Sequence, residues 1–201
     1  MGTNETTVIM QQLVFATNNP HKLEEVAAKI KGEIKLLSLD DIGCYDDIAE
    51  TGATFRENAS IKSYYIYHKY HVNCFGDDSG LEIDALDGEP GVYSARYAGK
   101  QGDHEANIDK VLARLGPYQN RRARFRTVIS LVWEGNEHFF DGVVEGIIRH
   151  ERAGVKGFGY DPIFQPDGYE ITFAEMSLEE KNGISHRAKA VEKLLDFLAS
   201  V

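Results

Sequence analysis

Apolar residues in this chain change period repeatedly, from short continuous or alternating runs to a three-to-four spacing, and that succession of strand and helix signals restricts the fold to the α/β class. Leu13 to Ala16 is a short apolar run, and Leu23, Val26, Ala27 and Ile30 follow it at helical spacing, so the chain opens with a strand, loop and helix unit. Ile34 to Leu39 reads as a second strand. Thr54 and Glu57 form a capping box that opens a helix running to about Tyr70, and Ile108, Val111, Leu112 and Leu115 mark another helix. Ala123 to Trp133 and Glu137 to Ile148 are strand-like and flank Glu134-Gly135-Asn136, the composition of a hairpin turn. A second capping box at Ser177 and Glu180 precedes a closing helix whose Ala188, Val191, Leu194, Leu195 and Leu198 share one face. A hairpin among strand–helix units predicts a mixed sheet. No repeat or low-complexity linker divides the 201 residues, so 11–201 are expected to form one domain and 1–10 a floppy extension.

Charge and composition exclude several classes of function. A content of 42% hydrophobic and 27% charged residues is that of a soluble globular protein. Cys44 and Cys74 lack metal-ligand spacing and make no disulfide framework, so both are expected at buried or half-buried positions in a reducing cytosol. No stretch approaches the length of a membrane span, and MGTNETTVIM lacks the basic start and apolar centre of a secretory signal. Met1-Gly2 with Thr6 matches the loose myristoylation pattern, but no basic cluster or second lipid site accompanies it. A cytoplasmic protein with no membrane partner is expected. The formal net charge of −10 argues against nucleic acid as a partner, since non-specific binding to a phosphate backbone is dominated by electrostatics. A phosphorylated ligand would have to meet a local basic cluster. The basic run Arg121 to Arg126 leads into a strand with Arg124 and Arg126 on one face and Phe125, Thr127, Ile129, Leu131 and Trp133 on the other. A solvated strand face and a phosphate site both remain readings of it.

Five loops hold polar groups that a scaffold would not require. Asp77-Asp78-Ser79-Gly80 lies between apolar runs at Val72 to Gly76 and Leu81 to Leu86, and reads as a tight strand-to-strand connection carrying two carboxylates. Neighbouring side chains diverge there, so one can face a cleft and the other a supporting shell, and carboxylates prefer hard cations such as Mg2+. Ordinary turn chemistry is the alternative. Thr17-Asn18-Asn19-Pro20-His21-Lys22 joins the first strand to the first helix, where free N–H groups and the helix dipole attract anions and Lys22 can reach a phosphate. Asn19 as a plain N-cap before Pro20 explains part of it equally well. Glu50 precedes the second helix, free to join a metal site, and Asn58 and Lys62 lie one turn apart within it, though a plain capping box with Lys62 in solvent reads equally from these residues. Gly157-Phe158-Gly159-Tyr160-Asp161-Pro162 lets an aromatic ring approach a flat ligand, or is a structural turn. Lys181 precedes Ser185-His186-Arg187, with Ser185 as N-cap and His186 and Arg187 as donors for carbonyl or phosphate oxygens. Arginine in a first turn opposes the helix dipole, which implies an anionic or carbonyl partner nearby.

In sequence order these motifs, with Pro90-Gly91-Val92-Tyr93-Ser94-Ala95-Arg96 and Phe55-x-Glu57-Asn58-Ala59, resemble the inosine triphosphate pyrophosphatase family across nearly the whole chain. The departures are the N-terminal extension and Asn18-Asn19-Pro20-His21, in a loop often richer in glycine. The resemblance implies an elongated mixed sheet flanked by helices, two lobes around a central cleft, and a homodimer. It implies hydrolysis of non-standard purine nucleoside triphosphates (ITP, dITP, XTP) to the monophosphate and pyrophosphate. It assigns Asp78 as catalytic base and, with Glu50, as ligand of Mg2+ or Mn2+, supported by Asp77. Thr17, Asn18, Asn19, Pro20, His21 and Lys22 would cradle the triphosphate with Lys62. Ser79 would contact substrate, Phe158, Gly159, Tyr160 and Asp161 would hold the base, and Lys181, His186 and Arg187 would close around base and phosphate. The alternatives are a pyrimidine triphosphate pyrophosphatase of the septum-formation-inhibitor type and a non-catalytic nucleotide-binding module.

Overall fold

A computed structural model describes residues 11–30, 32 and 34–201, and the expected extension at 1–10 lies outside these described residues. Six strands form one sheet in the order β2-β1-β3-β4-β5-β6. Strands β1 (Gln11–Phe15), β2 (Ile34–Leu37) and β3 (Cys74–Ile83) pair in parallel, while β4 (Arg122–Trp133), β5 (Asn136–Ile148) and β6 (Phe164–Pro166) continue from β3 in antiparallel fashion. The sheet is therefore mixed, as the hairpin among strand–helix units implied. Between and after the strands come α1 (Pro20–Lys29), α2 (Phe55–Tyr70), α3 (His104–Leu115), α4 (Leu178–Ile184) and α5 (His186–Leu198).

Local chemistry explains most of the helix boundaries. Asn19 caps α1, its side chain accepting from the N–H groups of His21 and Lys22, with Pro20 at the first position. Thr54–Glu57 and Ser177–Glu180 both close as capping boxes, at the starts of α2 and α4. Ser185 ends α4 and caps α5, accepting from Ala188 N–H, so two helices meet at one residue.

The acidic run is not a turn. Asp77, Asp78, Ser79 and Gly80 lie in the middle of β3, paired residue by residue with Ile129, Val128, Thr127 and Arg126 of β4. Aspartate, serine and glycine are depleted in strands and favoured in turns, yet the long ladder to β4 overrides that preference. The second strand is also shorter than expected, stopping at Leu37 before a 3-10 turn at Asp40–Ile42.

Apolar packing divides between the two ends of the β3–β4 pair. Leu81, Ile83, Ala123 and Phe125 pack with α3 and with Phe164 and Phe173 at one end. Phe75, Ile129, Leu131 and Trp133 pack with β1, α1 and α5 on one face of the other end, and Cys74 and Val132 pack with Ile66 of α2 on its opposite face. Cys44 and Cys74 are both buried and free, as expected. Helix α5 lies against β5 at Gly142, where a Cβ would collide with the His186 carbonyl and the Ala190 nitrogen. The polar middle of β3 thus falls between the apolar clusters.

Candidate active site

A cleft of about 480 Å³ opens over the centre of β3. Alternation along the strand separates its two carboxylates. Asp77 points toward α1 and α5, where it accepts from Lys22 Nζ at 2.8 Å, Arg187 Nε at 3.2 Å and Ser79 Oγ at 2.9 Å. Asp78 points toward α2, where Asn58 Nδ2 donates to it at 2.9 Å, and it forms part of the cleft wall while Asp77 does not. The expected split between a cleft-facing and a supporting carboxylate is therefore present, but the strand pleat produces it.

The two carboxyls are driven in opposite directions. Burial works against ionisation of Asp77, yet the charges of Lys22, Arg187 and Lys62 outweigh it and hold its pKa far below the carboxylate range. Burial lifts Asp78 above the ordinary 3.8, with Glu50 adding to the rise and Lys62 and Lys22 opposing it. Adjacent titratable groups pushed apart in this way are a mark of acid–base sites.

Cationic groups ring the carboxylates. Lys62 of α2 is ion-paired to Glu50 in the segment before the helix, and both line the cleft with Lys22. Burial alone would lower Lys62, but Glu50, Asp77 and Asp78 keep it raised and charged. Thr17, Asn18 and Asn19 form the adjoining wall. Pro20 and His21 do not reach it: both are exposed, and His21 stacks on Phe158. The structure thus places Pro20 and His21 at the start of α1, outside the cleft lining formed by their neighbours Asn19 and Lys22.

The cleft lining also includes Phe158, Gly159, Tyr160, Asp161, Lys181, His186 and Arg187. Asp161 supports this loop from within, accepting from Phe158 N–H at 2.9 Å and from Lys181 Nζ at 2.6 Å. Arg187, buried at 2% exposure, pairs with Glu25 and Asp77 and donates to Ser79 Oγ at 3.0 Å. These carboxylates are the anionic partners implied by an arginine in a first helical turn. His186 stacks on Phe125 at 4.8 Å, and burial together with the charges of Arg187 and Lys181 holds its pKa well below 6.5. Its imidazole is neutral at pH 7, and its buried Nδ1 has no partner among the described residues.

Arg96, Gln101 and His104 also line the cleft, as do Asp47, Ile48 and Ala49 beside Glu50. Of these only Arg96 belonged to a motif visible in the sequence; the others carry no local pattern and reach the cleft through the fold. The basic run behaves as a solvated strand face, with Arg124 paired to Asp84 and Arg126 to Asp141.

No cluster of three or more His, Cys, Asp or Glu side chains suited to a metal occurs among the described residues. Glu50 and Asp78 nevertheless suit Mg2+, which is held by one or two carboxylates together with substrate phosphates and keeps much of its water. A cleft that brings carboxylate oxygens, lysine ammonium groups and an aromatic ring together suits a charged ligand with a flat ring, the class to which nucleotides belong.

Comparison with known proteins agrees with this class. Residues 13–197 match the Ham1 family, and the chain belongs to it. It is 53% identical over 188 residues to the dITP/XTP pyrophosphatase of Christiangramia forsetii, covering 94% of this chain and 99% of the relative. The dITP/XTP pyrophosphatase of Porphyromonas gingivalis is 50% identical, with 94% and 98% covered. Among solved structures, a HAM1 protein from Coxiella burnetii superposes with a TM-score of 0.88 at 40% identity, covering 96% of this chain and 100% of that one. The Ham1 protein of Staphylococcus aureus gives 0.86 at 40% identity, with 94% and 99% covered. These likenesses bear out the family resemblance and the mixed α/β fold.

Proposed function

We propose that this chain hydrolyses the non-standard purine nucleoside triphosphates ITP, dITP and XTP to the monophosphate and pyrophosphate, clearing them from the nucleotide pool. The observation that carries this reading is that one cleft is lined by Asp78, lifted above its ordinary pKa, by Lys22 and Lys62, and by the aromatic Phe158. The names of the relatives, dITP/XTP pyrophosphatases at about half identity, support the same substrates.

In this reading Asp78 orients and deprotonates the attacking water, and its raised pKa brings its basicity closer to that useful near neutral pH. Lys22 and Lys62, with Thr17, Asn18 and Asn19, take the triphosphate, and Ser79 contacts it. Glu50 and Asp78 would hold Mg2+, which would neutralise the phosphates and the charge that develops on them. Phe158, Gly159 and Tyr160 receive the base while Asp161 and Lys181 hold that loop. His186, neutral, and Arg187 provide donors suited to a 6-oxo group. An amino group at that position leaves a buried donor unpaired, at a cost of about 1–3 kcal/mol, or roughly one to two decades in rate. We further propose that residues 11–201 work as one two-lobed unit, as a homodimer, in the cytosol.

The test is release of pyrophosphate and orthophosphate from ITP, XTP, GTP, ATP and UTP, with Mg2+ and with chelator. Metal-dependent pyrophosphate from ITP and XTP, with little from ATP or UTP, is the expected result. Orthophosphate alone would move cleavage to the terminal phosphate. Turnover chiefly of UTP would favour a pyrimidine pyrophosphatase, and no turnover would favour a binding module.

A further inference from the structure

Phe158 separates two cavities. It lines the cleft, and it also lines a second space of about 310 Å³ behind it, whose wall includes His21, Lys156, Phe173 and Met176. The ring is half-buried and stands between Gly157 and Gly159, both at positive φ (74° and 61°). Two such glycines form a tight loop but offer no side chain to confine the ring. Backbone bonding fixes only the main chain, through the Phe158 N–H donated to Asp161. The ring itself lies against His21, with centroids 5.2 Å apart and planes 10° from parallel.

His21 comes from a separate part of the fold. It occupies the first turn of α1, just after the Asn19 cap and Pro20, and its neighbour Lys22 points the other way to Asp77. The cap at Asn19 therefore sets the positions of both side chains, one toward the carboxylate centre and one toward the aromatic end. His104 lies near the same ring at 6.4 Å, tilted by 56°, from the cleft side. Lys181 Nζ and the Arg187 guanidinium also lie over the ring, 5.0 and 5.8 Å from its centroid, but of its two aromatic neighbours His21 is the one that stacks.

We propose that His21 is a positioning residue for base recognition: its imidazole backs the Phe158 ring and holds it where it presents its cleft side to the purine. This rests on the reading that Phe158 stacks on the base. His21 lies outside the cleft lining and touches it through Phe158, so in this proposal it acts on substrate affinity and leaves the hydrolytic step alone.

The experiment measures kcat and KM for ITP with Mg2+ in the intact protein and in His21→Ala, His21→Phe, Phe158→Leu and the His21→Ala/Phe158→Leu double variant. His21 is exposed, so its removal leaves the fold intact, which unchanged melting temperatures verify. An aromatic pair of this geometry predicts a KM raised about 2- to 10-fold in His21→Ala with kcat unaltered, and restoration by His21→Phe, which keeps a flat ring. In the Phe158→Leu background the His21 substitution is expected to change nothing further, because the ring it supports is gone. An unaltered KM in His21→Ala, a change in kcat alone, or an equal KM rise in the Phe158→Leu background would overturn the proposal. If Phe158→Leu by itself leaves KM unchanged, the base-stacking reading falls, and this inference with it. A raised KM in Phe158→Leu alongside a normal His21→Ala removes His21 only.

Discussion

Asp77 and Asp78 are identical side chains on adjacent residues, and their surroundings give them different work. Asp77 is 1% exposed and held by Lys22 and Arg187, so it is a fixed anion that organises cations. Asp78 keeps a carboxylate on the cleft with burial raising its pKa. Asp78→Asn preserves shape and accepts the loss of a charge that burial already disfavours. Its turnover is expected to fall by about 100- to 10,000-fold, the usual contribution of general base catalysis, with an unchanged melting temperature. Steady-state rates alongside a thermal melt check this, and near-normal rates would remove Asp78 from the chemistry. Arg187→Ala is expected to act first on stability. It strips a buried guanidinium from Glu25 and Asp77, and breaking a buried pair from one side costs about 3–5 kcal/mol. Urea unfolding would show the midpoint falling; an unshifted midpoint would mean that Lys22 and Lys181 suffice for the two carboxylates.

At the scale of elements, the site depends on how closely helices approach the sheet. Helix α5 delivers His186 and Arg187 from its first turn, and it can do so because Gly142 of β5 offers no Cβ to the His186 carbonyl. Gly142→Ala is expected to cost about 1–3 kcal/mol by overpacking and to lower kcat/KM for ITP as the α5 start is displaced. Melting temperature and kinetics together read this out, and a stable variant with full activity would show that α5 has room to shift without harm. The helix starts were legible in the sequence because capping is local: Thr54 with Glu57, Ser177 with Glu180, and Ser185 each sit within three residues of the N–H they satisfy. The interior of β3 was not. Asp77 to Gly80 carry turn chemistry, and only the register with Ile129 to Arg126 of β4, some fifty residues later, makes them a strand.

On the scale of the whole molecule, a buried lattice of charge joins α1, β3, α4 and α5 through Lys22, Glu25, Asp77, Asp161, Lys181 and Arg187. Glu25 reports on it. Burial would raise its carboxyl, but Arg187 and Lys181 outweigh that and hold it below the ordinary 4.5. A depressed folded-state pKa contributes stability that is present above the unfolded value and is lost as pH falls through the folded one. Glu25→Gln is therefore expected to be less stable than the natural protein at pH 7, with the gap closing as pH drops below 4.5. Urea midpoints measured from pH 7 to pH 3 test this, and a gap independent of pH would show that Glu25 contributes by shape rather than charge.

Periodicity, capping and residue type act over a few positions, so the class of fold, the starts of α1, α2, α4 and α5 and the identity of the chemical groups could be read along the chain. The sequence also carried the division of labour between Asp77 and Asp78, since neighbours in extended chain point apart whatever they pair with. Only the packing of the whole chain set Glu25 against Arg187 and Lys181, stacked His21 on Phe158, and brought Gln101 and His104 to the cleft. Those contacts bring together residues far apart in the chain, from Glu25 to Arg187. Such distant pairs are set by how sheet and helices pack as a whole, which no local pattern encodes.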